Sequence, residues 1–310
     1  MLSSFACAIP GIMATRTIPS AKDRIATMLS APLATCSARL PVYVLLVGIL
    51  VPAGSSLGPV SVRGLVLFGM YLLGALSAML AARVVKKITD RSGTLLPFYM
   101  EMPPYRIPTP RSVGMAMWEP TKAFLRKAGT IIMGATIVIW ALTTFPLRSD
   151  AEMTAAGVDP SDEVAATAYN MEHSAAAKVG KAIEPVFAPQ GFDWRVNISL
   201  IGSMAAREVA VSTLGQVASA SDPEDDVSVS ESVQKWTYTD GPHQGEKVFT
   251  PDTTIAMLIF FAFALQCVAT IGILKRESGG WKWPAIAFGY MFVLAWVGSS
   301  LAAIITRVVM

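Results

Sequence analysis

Histidine and cysteine are nearly missing from this chain. Two His and three Cys in 310 residues exclude a zinc ribbon and a disulfide scaffold, both of which need more ligands or partners at close spacing. Charge is short as well: Asp, Glu, Lys and Arg make up 15% where a soluble domain carries about 25%. Neither sign dominates, since 25 basic residues face 22 acidic ones, and that balance excludes a nucleic-acid binder. The sequence has no G-x-x-x-x-G-K-[ST] loop, no H-E-x-x-H and no G-x-S-x-G, so a phosphate hydrolase, a zinc protease and a serine hydrolase are not expected and the chain reads as a non-enzyme. No basic leader precedes the first apolar stretch, and no cleavable signal is expected. The abrupt apolar start points to something that normally precedes it.

What is abundant is apolar surface. Hydrophobic residues reach 53% and the mean hydropathy is +0.51, which excludes disorder. A helix needs about 20 apolar residues to cross the hydrocarbon core, and five segments qualify: 40–57, 64–85, 128–146, 253–273 and 285–306. Gly48, Gly69, Gly74 and Gly134 punctuate them, as membrane helices tolerate. The spacing of Gly69 and Gly74 is not a GxxxG match and carries no weight. The expected fold class is all-α, a polytopic membrane protein.

Loop charges set sidedness. Nine basic residues between Arg83 and Lys127 outnumber Asp90, Glu101 and Glu119, so 86–127 is expected to be a cytoplasmic basic loop. The acidic stretches 147–195 and 220–252 are expected outside. Arg16, Lys22, Arg24 and Arg39 against Asp23 add a second cytoplasmic signature near the start. One conflict remains: 196–219 is apolar enough to cross, yet both of its flanks read as external. A re-entrant or broken element resolves it, since irregular backbone at that depth survives where protein or a water-filled cavity surrounds it.

A weak internal echo accompanies this conflict. Met13-Ala14-Thr15-Arg16 is matched by Met204-Ala205-Ala206-Arg207, and Cys36-Ser37-Ala38-Arg39 by Cys267-Val268-Ala269-Thr270. The first copy surrounds a basic loop and the second an acidic one, the signature of inverted repeats with interrupted helices around a midplane site. The domains read as a first gate-like module over 1–85, the basic loop 86–127, a transmembrane helix 128–146, the acidic loop 147–195, and a second gate-like module 196–306 carrying the insertion 220–252.

Arg207 and Glu208 stand inside an apolar stretch. An ionisable group at the bilayer centre costs about 2.5–3.5 kcal/mol on insertion scales and is a functional-site candidate by default. Cys7, Cys36 and Cys267 lie beside Pro10, Pro32, Pro41 or the echoed motif. Buried Cys usually packs as a small hydrophobe. Thiols with a carboxylate and freed carbonyls instead suit a transient Fe(II), Mn(II) or Zn(II) site better than Mg(II) or Ca(II). His173 and His243 fall in the acidic loops, where solvation is expected.

Several of these stretches resemble the membrane domain of the bacterial ferrous iron transport protein B (FeoB) family. They are Cys7 to Arg16, Cys36 to Tyr43, Pro97 to Arg106, Lys127 to Ile132, Gly191 to Arg195, Ala205 to Val209 with Ser212 to Gly215, and Cys267 to Thr270 followed by Lys275-Arg276-Glu277. The motifs stand in family order from about residue 5 to about residue 300. The resemblance implies a ferrous-iron permease of the bacterial inner membrane with two gate modules, multi-pass, with no permanently bound cofactor and with Fe2+ as its cargo. It places the family's membrane cysteines on Cys7, Cys36 and Cys267, with Glu208 as an intramembrane carboxylate. The family's N-terminal GTP-binding domain has no match here, so a separate GTP-binding half and small cytosolic Feo proteins are implied as partners, with homo-oligomerisation left open. Two alternatives stand beside it. One is a nucleoside or organic-solute carrier, for which Asn197, Gln216 and Gln266 offer few polar groups. The other is an inert membrane fragment.

Overall fold

The computed structural model describes residues 2–309 except 53, 90–108, 147–148, 158, 160, 162, 206, 208, 218–225, 239–243 and 266. Among the described residues its regular structure is helical apart from one tiny hairpin and an isolated bridge. The helices are α1 (Ala8–Met13), α2 (Ala21–Ser30), α3 (Leu40–Leu50), α4 (Val62–Thr89), α5 (Pro110–Thr144), α6 (Asp150–Ala155), α7 (Glu163–Glu172), α8 (Ala175–Phe187), α9 (Trp194–Ala205), α10 (Val209–Val217), α11 (Asp226–Val233), α12 (Pro251–Phe263), α13 (Val268–Ser278) and α14 (Lys282–Val309). The hairpin pairs β1 (Ser56–Leu57) with β2 (Val60–Ser61) in antiparallel register. It occupies the end of the segment expected to span over 40–57, so that segment is corrected: α3 stops at Leu50, and the apolar length comes instead from α2 and α3 in series.

Among the described residues four stretches are long and apolar enough to cross a membrane: Ala21–Leu50, Val62–Thr89, Pro251–Ser278 and Lys282–Val309. Two of them, α4 and α14, are continuous helices of 28 residues. Leu65, Phe68, Leu72, Leu76 and Leu80 stand exposed along α4, and Leu301, Ile304 and Ile305 along α14. Apolar faces of that extent suit hydrocarbon rather than water. The chain is a membrane protein.

The other two stretches are broken. Between α2 and α3 the chain tightens into a 3-10 turn at Ala31–Leu33, extends through Ala34 to Cys36, and re-enters helix through a second 3-10 turn at Ser37–Arg39. Pro32 and Pro41 frame this break, as proline must when it removes an amide donor from a helix. Between α12 and α13 the backbone extends at Ala264 (φ −64°, ψ 139°) and again at Cys267 (φ −147°, ψ 104°). The stretch 196–219 is also discontinuous. Here α9 ends at Ala205 and α10 begins at Val209, and the two pack on each other: Ser199 donates to the Ala210 carbonyl at 2.9 Å.

Several expected loops are largely helical. The basic region 86–127 is helix up to Thr89 and again from Pro110, where Thr109 caps α5 by accepting from the Ser112 amide. Arg111, Lys122 and Arg126 therefore lie on α5, and the expected span 128–146 is its C-terminal part. The acidic region 147–195 contains α6, opened by a reciprocal Ser149–Glu152 capping box, then α7 and α8. Within 220–252, α11 and a bridge between Thr237 and Lys247 are formed. Asp222, Glu224 and Asp225 lie outside the described residues.

Two apolar cores hold the bundle. The larger runs from Tyr43 and Leu46 on α3 through Leu214 to Phe261, and includes edge-to-face contacts of Phe187 and Phe192 with Phe260. The smaller one wraps the breaks, with Ile12, Leu29, Leu33, Leu265 and Leu274 packed against Met291.

Candidate functional site

The three thiols occupy equivalent positions in the chain's local geometry. Cys7 immediately precedes α1, Cys36 the 3-10 turn before α3, and Cys267 α13. Each has extended backbone and each is the first residue of its helix's cap, yet none uses its side chain to cap an amide. All three are free and half-buried.

Cys7 is near enough to Cys36, Cys267 and the Arg207 guanidinium for their charges to act on it. Ser37 donates to the Ala6 carbonyl at 2.9 Å, tying the residue after Cys36 to the residue before Cys7. Of the four expected ligands, Cys36 and Cys267 thus lie within electrostatic range of Cys7. Glu208 lies outside the described residues. Among the described residues no group of three or more His, Cys, Asp or Glu is close enough to hold a metal ion, so the thiols neighbour one another without forming a closed cage.

Two arginines complete the centre. Arg39 is fully buried and donates from Nη1 to the carbonyls of Leu33 (3.2 Å) and Ala34 (3.5 Å), and from Nη2 to that of Pro32 (3.2 Å). Its expected place in a cytoplasmic loop is therefore corrected: it turns inward because the broken helix leaves carbonyls that no backbone amide reaches. Arg207 is buried too and donates from Nη2 to the Ala264 carbonyl at 3.2 Å. The two guanidiniums lie close enough to repel each other. Sequence reasoning had marked Arg207 but missed Arg39. The available signal was a charge set between Pro32 and Pro41 in an otherwise apolar run.

The echoed motifs do not behave alike. Arg16, the counterpart of Arg207, is half-exposed and binds Glu277, donating from Nε at 2.8 Å. Arg24 donates to the Glu277 backbone carbonyl and side chain as well, at 3.0 and 3.2 Å. Glu277 thereby ties the N-terminal helices to the end of α13.

On the acidic side, Asp193 is buried rather than solvated. It pairs with Arg195 at 3.0 Å and accepts from the Val196 amide at 3.0 Å. Burial pushes its carboxyl up, and Arg195 opposes that shift. Arg195 also lies over the Trp236 ring at 4.9 Å and donates to the Thr237 carbonyl at 2.7 Å, fastening the acidic insertion to α9. His173 is half-buried, its ring tilted against that of Tyr169 with centroids 4.2 Å apart, which corrects its expected solvation. His243 lies outside the described residues. Asn197 donates to the Gly180 carbonyl at 3.3 Å, serving the α8–α9 contact rather than a cavity. The side chains of Gln216 and Gln266 are outside the described set.

Apolar helices that break in the interior, with thiols and guanidiniums at the breaks, define an integral membrane protein with a polar centre. The Gate family, described as nucleoside recognition, matches residues 1–50 and 125–281, and the family described as ferrous iron transport protein B C terminus matches 67–119. A Porphyromonas gingivalis protein named Fe(2+) transport protein A/Fe(2+) transporter FeoB fusion protein is 40% identical over 97% of this chain and 36% of its own length. Proteins named Fe(2+) transporter FeoB from Leptospira interrogans (39% identical, 96% of this chain, 41% of theirs) and Methanocaldococcus jannaschii (33%, 98% and 40%) are similar throughout. The chain spans about two-fifths of the length of these relatives. No solved structure matches it. The chain belongs to the Gate family and to the FeoB family, of whose members it corresponds to the C-terminal membrane part.

Proposed function

We propose that this chain is the permease portion of a ferrous iron transporter, and that Fe2+ passes between Cys7, Cys36 and Cys267 with Glu208 as an oxygen donor. The single observation that carries the reading is the placement of three free thiols at three helix openings beside unwound backbone, two of them within electrostatic range of the third. Soft sulfur with a harder carboxylate suits a borderline divalent ion. Neutral thiols bind weakly, and loss of a proton on metal contact tightens the hold. An open set of donors serves permeation better than a tight cage, which would not release its ion.

The same reading takes the α2–α3 and α12–α13 breaks as the centres of two inverted gate-like repeats, with α9–α10 as a re-entrant element and the whole as a multi-pass protein of the bacterial inner membrane. The chain then acts as a transporter and not as an enzyme, and holds no resident cofactor. Its partners are a GTP-binding N-terminal half and a small cytosolic Feo protein, in keeping with the fused Fe(2+) transport protein A in the Porphyromonas relative.

The test is uptake of radiolabelled Fe(II) by cells supplied with the missing half. Cys→Ser changes at 7, 36 and 267 and Glu208→Gln should each reduce uptake at least about tenfold, the usual cost of losing a metal-site partner. Wild-type rates in all four would remove the ligand set. Uptake of labelled nucleosides instead of Fe(II) would transfer the site to the activity that the Gate description names.

A further inference from the structure

A helix that ends inside an apolar protein leaves its last carbonyls without amide partners, and in hydrocarbon no water replaces them. At two such ends among the described residues an arginine meets the freed carbonyls. Arg39 takes the carbonyls of Pro32, Leu33 and Ala34, at the end of the α2 half-helix. Arg207 takes that of Ala264, at the end of α12. In both cases the next helix opens on a cysteine, Cys36 two residues beyond Ala34 and Cys267 three beyond Ala264.

The two arginines reach these carbonyls from different places. Arg39 belongs to the segment it caps. Arg207 comes from the α9–α10 junction, 57 residues away in sequence. Both are at least nine-tenths buried, and among the described residues neither is in an ion pair. Apolar replacement of a surface arginine would change little. Here it would strand carbonyls beside the cysteines.

We propose that Arg39 and Arg207 are positioning residues of the transport path, holding the two unwound segments so that Cys36 and Cys267 face Cys7. Arg207 does more than Arg39, since it locks the α9–α10 junction to the α12–α13 break and makes the two elements move as one. The inference rests on the thiol pathway proposed above for its functional meaning, but its geometry can be tested without iron.

The experiment uses the full transporter in native membranes, with single-cysteine backgrounds that keep only Cys36 or only Cys267. The rate of labelling by a membrane-permeant maleimide is measured in Arg39→Met and Arg207→Met, and in the donor-retaining Arg39→Lys and Arg207→Lys. Loss of one such hydrogen bond should speed labelling of the adjacent cysteine about fivefold in the Met variants, and the Lys variants should stay within about twofold of the parent. In the three-cysteine protein the Met variants should raise the half-saturating Fe(II) concentration more than they lower the maximal rate. Met variants that label at the parental rate, or Lys variants that label as fast as Met, overturn the proposal. Where a Met variant fails to insert, Arg→Gln at the same position, whose shorter side chain puts its two N–H donors on one nitrogen, is compared with Lys on the same terms. Altered labelling together with uptake indifferent to all Cys→Ser changes would leave the positioning role standing and defeat the thiol pathway.

Discussion

Gly74 on α4 lies directly against Thr35 in the first break: a Cβ built on the glycine would stand 3.0 Å from the Thr35 amide nitrogen and would also strike its Oγ1. Thr35 in turn donates to the Met70 carbonyl, one turn earlier on α4. The unwound segment before Cys36 is thus seated on a notch in a neighbouring helix. Gly74→Ala should cost about 1–3 kcal/mol, the usual penalty for overpacking a closed contact, read as a lower melting temperature in detergent. Gly69→Ala, which meets open space, should be silent by the same measurement.

Glu277 accepts from both Arg16 and Arg24 with its own side chain nearly fully covered. Glu277→Gln removes the charge while keeping the shape. Charge-assisted hydrogen bonds contribute more than neutral ones, so the loss should be about 1–3 kcal/mol. Thermal unfolding checks this, and limited proteolysis after Arg16 or Lys22 should become faster as the N-terminal helices loosen.

Asp193 carries a pH prediction. Its folded carboxyl titrates above the ordinary value of 3.8 because burial outweighs Arg195. The folded state therefore holds its proton more tightly than the unfolded state, and this group's contribution to stability falls as pH rises from about that value through the raised one. Melting temperatures of wild type and Asp193→Asn, measured across that acidic window, should differ in slope, with the Asn variant flatter. Parallel curves would refute the assignment.

Tyr238 ties the acidic insertion to the bundle by donating to the Gly191 carbonyl at 2.7 Å. Burial pushes its hydroxyl up to about 12, so it remains a donor throughout the physiological range. Tyr238→Phe should cost about 1 kcal/mol, visible as faster amide exchange around 236–238 with little change in α4 or α14.

The continuous helices were the legible part of the sequence. Both α4 and α14 follow from uninterrupted apolar runs of sufficient length. The first break was announced by Pro32 and Pro41, but the second was not: Ala264-Leu265-Gln266-Cys267 contains neither Gly nor Pro, and one span over 253–273 was the natural reading. That helix opens where Arg207 supplies a carbonyl partner from elsewhere in the chain, a tertiary cause that local pattern does not carry. Arg39 and Asp193 were read as solvent-facing loop charges for a related reason. Composition counts charges but does not say which ones meet a stranded carbonyl or a buried cation. The three cysteines stood out in the sequence by their neighbouring prolines and the echoed motif, but their shared place at helix openings emerged only from the backbone.

That shared place has a mechanical corollary. Each sulfur is fixed to the leading end of a helix whose rise is about 1.5 Å per residue, so an axial slide of a single residue in α1, α3 or α13 would carry its sulfur across most of the length of a metal–sulfur bond. On the proposed thiol pathway, grip and release of a passing ion would then be governed by rods shifting lengthwise, with no side chain needing to swing.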